Sequence, residues 1–161
     1  MTARIGMVLI ALCAAAGVLQ AAERSPFVQV FDTTSNSDKP LTADALSKMA
    51  RWKLVPEDNL KHQFSGDAVI MNGKLAVVVR PKTGGVEVYS LAAKQPVLRA
   101  SLVCAAAKSS AKLAIVENAS SAVTLAASGT KLRLTTGASI LEIKPPEAKS
   151  TLTVVTKARY V

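Results

Sequence analysis

His62 is the only histidine in the chain. Its nearest neighbours, Lys61, Gln63, Phe64 and Ser65, include no acid and no second ligand. Acid–base catalysis and metal binding both need grouped polar side chains that shift one another's pKa or share an ion. The sequence around His62 offers no such group, which points to a surface or loop histidine. The acids are equally scattered. Glu57 and Asp58 follow Pro56 and read as a solvated turn, while Asp67, Glu87, Glu117 and Glu142 fall on separate expected strands. Two strand-borne carboxylates meeting across a cleft would suit glycosidic-bond chemistry, but nothing in the spacing brings a pair together. No catalytic residue, metal-ligand set or cofactor is assigned, and the sequence favours a protein without enzymatic activity.

Cysteine chemistry is limited in the same way. Cys13 lies in the leading apolar run, so Cys104 is the one thiol beyond it. A single thiol forms no internal disulfide, and a domain of this size can be held by its core alone. Within LRASLVC, alternation puts Leu98, Ala100, Leu102 and Cys104 on one face, which predicts a buried, inert sulfur. Cys13 is not a lipoprotein acylation site either, because Leu12 stands where a small residue is needed. Ser109-Ser110-Ala111-Lys112 and Lys82-Thr83-Gly84 imitate the S-x-x-K and K-T-G elements of penicillin-binding enzymes. Their order is reversed and S-D-N is missing, so they are chance matches. Pro81-Lys82-Thr83-Gly84 also imitates a sortase signal, with Arg80 in place of its leucine. Asn118-Ala119-Ser120 has N-glycosylation spacing, which matters only in a eukaryotic secretory route.

The elements that would carry these residues start with a leader. Arg4 gives a positive start, residues 5–19 form an uncharged apolar run, and Gln20-Ala21-Ala22 offers a small-residue cleavage site. The run is short for a membrane span, which needs about 20 apolar residues. The expected division is a signal peptide at 1–22, an N-terminal segment with a polar linker at 23–41, and a helix plus β-sandwich domain at 42–161. The final TLTVVTKARYV reads as strand, so either the last strand is tucked into the sheet or the chain is the front part of a longer protein. Export to the periplasm or the extracellular space follows, with no membrane span after cleavage.

Phe27–Phe31 reads as a short strand. One helix is expected over 43–53, with Thr42 as N-cap, Leu41 stapled to Leu46, and Pro56 beyond its end. From Gly66 onward the apolar period is two. Ala68–Met71 and Lys74–Arg80 flank Asn72-Gly73, the signature of a type I′ hairpin. Expected strands then follow at Val86–Leu91, Val97–Cys104, Leu113–Glu117, Val123–Ala127, Lys131–Thr135, Ser139–Lys144 and Thr151–Val155, with turn residues between them. The fold class is mainly β: an antiparallel β-sandwich of about nine short strands with one short N-terminal α-helix covering an edge or open end. The predicted core comprises Leu75, Val77, Val79, Val86, Val88, Leu98, Leu102, Leu113, Ile115, Val123, Leu125, Leu132, Leu134, Ile140, Leu152 and Val154.

The chain is basic, with net charge +9, which becomes +8 once Arg4 leaves with the leader. The cations are spread along strands rather than clustered in an arm. Lys131, Arg133, Lys144, Lys157 and Arg159 fall on the last three expected strands. If consecutive strands pair, these five form one positive face able to touch an anionic envelope polymer or an acidic protein partner. The simpler role for such lysines is to keep sheet edges from pairing with other chains. Aromatic residues are only 4% of the chain, too few for a sugar-stacking row or a single-strand nucleic-acid platform.

The segments GKLAVVVRPKTGGVEVYSL (73–91), LRLTTGASILEI (132–143) and KARYV (157–161) resemble exported β-sandwich proteins of planctomycete-like bacteria. The resemblance implies a periplasmic or exported sandwich, akin in fold to the supersandwich group that includes mutarotase-like domains. It carries over no functional residue. Two functions are therefore expected in order: a non-catalytic exported structural or interaction domain first, and part of a carbohydrate-active enzyme second, with Glu87 or Glu142 on a concave sheet face. The leader itself is directly testable: N-terminal sequencing of the exported protein should begin at Ala22 or Glu23, and recovery only of uncleaved, membrane-held protein would refute export with cleavage.

Overall fold

A computed structural model describes residues 25–92, 94–104, 112–145 and 152–156, with side chains for all of these except Cys104 and 152–156. The expected leader, the segment 105–111, and Lys157 and Arg159 lie outside the described residues. The described chain is mainly β, with two antiparallel sheets. One sheet contains β1 (Gln29–Asp32), β2 (Lys53–Val55), β3 (Ala68–Met71), β4 (Leu75–Val79), β5 (Gly85–Ser90), β6 (Val97–Cys104) and β11 (Leu152–Thr156). Its order is β11-β6-β5-β4-β3-β1-β2. The other is a meander of β7 (Leu113–Ala119), β8 (Ala122–Ala127), β9 (Thr130–Thr135) and β10 (Glu142–Lys144), in the order β10-β9-β8-β7.

Alternating apolar residues place the main core between the sheets. Val30, Ile70, Val77, Val79, Val86 and Leu102 from the larger sheet meet Ile115, Val123, Leu125, Leu132 and Leu134 from the smaller. Each fully buried leucine or valine contributes about 1.5–3 kcal/mol relative to an exposed one. Leu75, Val88 and Leu113, also expected in the core, are half-buried against it, whereas Leu98, expected on one face with Leu102, is half-buried on the sheet's opposite face. Ile140 is 72% exposed: it sits before β10 in the connection from β9, so strand alternation does not apply to it. The side chains of Leu152, Val154 and Cys104 lie outside the description.

The larger sheet is buried on its second face as well, which a two-layer sandwich does not require. Val69, Met71, Ala76, Val78, Tyr89 and Leu91 pack there with Leu46 of the helix α1 (Ala43–Lys48), flanked by Phe31, Leu41, Met49 and Trp52. The helix thus covers a sheet face rather than an edge or open end. Burial on both faces explains the unbroken Ala76–Val79 run, as in strands covered on both sides.

Two expectations of the sequence need correction. The helix ends at Lys48, not residue 53, because Met49 turns left-handed (φ 46°) and residues 53–55 are taken by pairing with β1. Thr42 is the N-cap as expected: its side chain accepts from the Ala45 amide at 3.1 Å. The short strand expected at Phe27–Phe31 is β1, which lies inside the sheet between β2 and β3. Finally, the β3–β4 turn is centred on Gly73-Lys74 rather than Asn72-Gly73, since Met71 pairs with Ala76 and the Asn72 amide donates to Leu75 O at 3.0 Å. Asn72 Oδ1 accepts from the Lys74 and Leu75 amides, both at 2.8 Å, so its side chain supplies the turn that a left-handed Asn-Gly pair would otherwise make.

Close approach fixes the start of β3. A Cβ added to Gly66 would lie 2.6 Å from Thr33 Oγ1 and 2.7 Å from Ser35 O, and would also strike the Ser35 amide. Gly66→Ala should therefore destabilise the fold by about 3 kcal/mol through backbone displacement, measured as a lowered urea midpoint. Gly137→Ser, at an open turn with nothing within 4 Å but φ 68°, should cost only about 1 kcal/mol of left-handed strain.

Candidate functional site

The chemistry-bearing residues collect at the end of the larger sheet where β1, β3, β4 and β5 meet the 33–41 loop. Asp32, the last residue of β1, is 1% exposed. Its Oδ1 accepts from the Thr34 amide at 2.8 Å and the Gly66 amide at 3.0 Å. Its Oδ2 accepts from the Ser65 amide at 2.8 Å, and from Ser65 Oγ and His62 Nε2, both at 3.1 Å. His62 is thus a loop residue, as expected, but not one without an acid. Its acid comes from β1, thirty positions away in sequence. Phe64 meets the imidazole edge-on, with ring centroids 4.8 Å apart.

Burial alone would raise the Asp32 pKa. The donors from Ser65, Thr34 and His62 together outweigh it and hold the carboxyl below its ordinary 3.8. A His–Asp dyad works as a base only if its other ring nitrogen reaches a nucleophile or water in a substrate site. Here Nδ1 makes no hydrogen bond among the described residues, and Ser65 Oγ donates to the carboxylate rather than to the ring. The arrangement is a clamp on the 62–66 segment.

Arg80 forms the second cluster, 4% exposed just beyond β4. Its Nε and Nη2 fork onto Glu87 Oε1 and Oε2, both at 3.0 Å. Nη1 donates to Asp67 Oδ2 at 2.8 Å and to the Ser37 carbonyl, and Nη2 also reaches Lys39 O at 2.8 Å. All five guanidinium donors are therefore used. Tyr89 Oη donates to Glu87 Oε2 at 2.7 Å, with Leu41 O 3.1 Å away. Burial pushes the Tyr89 hydroxyl far above its usual range, and the bond to Glu87 adds to this. Asp67 Oδ1 has no hydrogen-bond partner among the described residues. Burial raises the Asp67 pKa despite the opposing pull of Arg80.

Asp67 and Glu87 were expected to stand apart on separate strands, yet Arg80 joins them. A guanidinium lies between the two carboxylates, so they are not an acid and base flanking a substrate. Glu142, the other strand-borne acid considered for glycosidic chemistry, lies in the opposite sheet. Asn118 also departs from its motif: it is buried, with Nδ2 donating to Pro56 O at 2.7 Å, and so is not presented for glycosylation.

Of the expected cationic face, Lys131, Arg133 and Lys144 lie among the described residues. Lys131 and Lys144 stand directly opposite one another on β9 and β10, and Arg133 faces Glu142 in the same pairing. Arg133 is also 3.1 Å from Glu117, whose pKa it lowers together with Thr124. The last strand, β11, pairs with β6 in the other sheet, so the three final strands are not neighbours. Lys157 and Arg159, just past β11, lie outside the described residues.

A cleft of about 380 Å³ opens between the sheets at the β3–β4 turn. Leu75, Val88 and Leu141 form its apolar floor, with Ser90 and Ser139 beside them and Lys74 and Arg99 at its rim. Asn72 fixes its walls: Nδ2 donates to Thr135 O at 2.8 Å and to Ala138 O at 2.9 Å, tying the hairpin of one sheet to the β9–β10 connection of the other. Sequence reasoning missed this cleft because its two walls are separated by about sixty residues of chain. Among the described residues no three metal-ligating side chains gather, and no helix is long and apolar enough to cross a membrane. Comparisons with protein-family models, curated proteins and solved structures found no match.

The two buried aspartates should leave opposite marks on acid stability. The lowered pKa of Asp32 means its contribution is complete above about pH 3.8 and is lost as pH falls through the folded value. Asp32→Asn should cost about 3 kcal/mol near neutrality and flatten the loss of stability below pH 4. The raised pKa of Asp67 has the reverse sign: its charged form is disfavoured by the fold, so its contribution becomes more favourable as pH falls through the folded value. Asp67→Asn should steepen the acid limb. Urea titrations from pH 2.5 to 7 read both slopes.

Proposed function

We propose that this chain is an exported, non-catalytic β-sandwich domain whose role is to bind or scaffold a partner. The observation that carries this reading is the use of the buried ionisable groups. Asp32 receives five donors, and Arg80 uses all five of its own. Both clusters hold the 33–41 loop and the 62–66 segment against the sheet. An acid–base site keeps a titrating group within reach of its substrate, and neither cluster offers one.

Export is supported by the Arg4 start, the apolar run at 5–19 and the small residues at 20–22. Lys131 and Lys144, side by side on the smaller sheet, support weak, salt-sensitive contact with an anionic polymer or acidic protein, and they equally keep the short β10 edge from pairing with other chains.

The reading is tested with the purified exported chain and chromogenic glycosides, esters and phosphoesters. No turnover above the buffer rate is expected, and Glu87→Gln and His62→Gln should change only the melting temperature. Turnover that either substitution abolishes while the fold persists would overturn the proposal and revive the carbohydrate-active alternative.

A further inference from the structure

The cleft beside Asn72 has the features of a small-ligand site. Its volume of about 380 Å³ falls in the range of small-molecule pockets, roughly 300–1,000 Å³. Its floor is a stretch of the inter-sheet core where apolar side chains stay unfinished. Leu75, Val88 and Leu141 are each half-buried, while Val77, Val79 and Leu132 nearby are at most 1% exposed. No aromatic ring lines the cleft among the described residues, so a flat sugar or nucleobase finds none there to stack on. An aliphatic body fits this floor.

The rim carries charge of a single sign. Lys74 and Arg99 both line the cleft, no acid does, and neither makes an ion pair among the described residues. Arg99 is placed by an irregularity: the β5–β6 register slips between Val88 and Tyr89, so that Val88 pairs with Ala100, Tyr89 pairs with Leu98, and Arg99 has no partner. A bulge of this kind re-aims a side chain, here toward the opening between the sheets. Lys74 is fixed from the other side, because its carbonyl accepts from the Leu91 amide at 2.8 Å. The clamp by Asn72 holds both walls before any ligand arrives, which lowers the ordering cost of binding.

We infer that the cleft binds a small amphipathic anion, an aliphatic chain ending in a carboxylate, with the chain on Leu75, Val88 and Leu141 and the carboxylate between Lys74 and Arg99. This deepens the binding role proposed above and rests on it, but the two fail separately: turnover would refute the first, and lack of ligand binding only the second.

Calorimetric titration of the exported chain with decanoate, kept below its micellar range, tests the inference. Saturable one-to-one binding is expected, at least about tenfold tighter than decanol. Lys74→Gln combined with Arg99→Gln should weaken decanoate by roughly tenfold or more and leave decanol unchanged, the scale of one lost charge-assisted bond. Lys131→Gln with Lys144→Gln removes the same charge from the outer face of the other sheet and should change affinity less than about twofold. Val88→Thr keeps the volume near constant and should weaken both ligands. Absence of saturable binding, equal affinity for decanoate and decanol, or equal effects of the two charge-removing pairs would each overturn the proposal, the last by reducing it to net-charge attraction.

Discussion

The guanidinium of Arg80 holds the third layer of the molecule in place. Taking a charge out of water costs several kcal/mol, and a buried pair recovers that only when its geometry is good and its remaining donors are satisfied. Arg80 meets the condition by pairing with two carboxylates and two loop carbonyls. Those carbonyls, Ser37 and Lys39, belong to the segment that leads into α1. Fixing them brings Leu46 down over Val69, Val78 and Tyr89, so a polar contact positions an apolar one. Asp32 does the same at the neighbouring corner, where Thr33 and Asp67 also exchange backbone and side-chain bonds.

The sheets themselves were readable from the sequence, because alternation and turn residues are local signals. Leu132 and Leu134, alternating with Lys131, Arg133 and Thr135, announce one buried face, and both are fully buried. The ionic cluster was not readable, for a specific reason. With a two-residue Asn72-Gly73 turn, Asp67 falls opposite Val78. With the turn at Gly73-Lys74, Ala68 pairs with Val79, so Asp67 falls opposite Arg80. The apolar pattern is indifferent to this slip of two residues, since it preserves which face each side chain takes. Only the polar groups register it.

One signal was present nonetheless. In the β4–β5 hairpin Val78 pairs with Glu87, so Arg80 lies diagonally across from Glu87 on the same face, a favourable geometry for opposite charges. Turn residues separate the two expected strands, and the hairpin register across them joins the pair. The link between Asp32 and His62 had no such cue. It depends on β1 entering the sheet between β2 and β3, and sequence order does not reveal that insertion.

The position of β11 has a consequence for assembly. The strands β3 to β6 follow one another as hairpins, and so do β7 to β10. Each meander can form from contacts close in sequence, which is the fast kind of folding. The pairing of β11 with β6 spans the entire second meander; it closes a loop whose entropy must be lost before the ladder repays it. On a chain emerging from its N-terminal side, β6 therefore waits as an unpaired edge until the whole smaller sheet has been made. That interval exposes the strand to pairing with a second chain, and makes the arrival of β11 the step that ends the hazard.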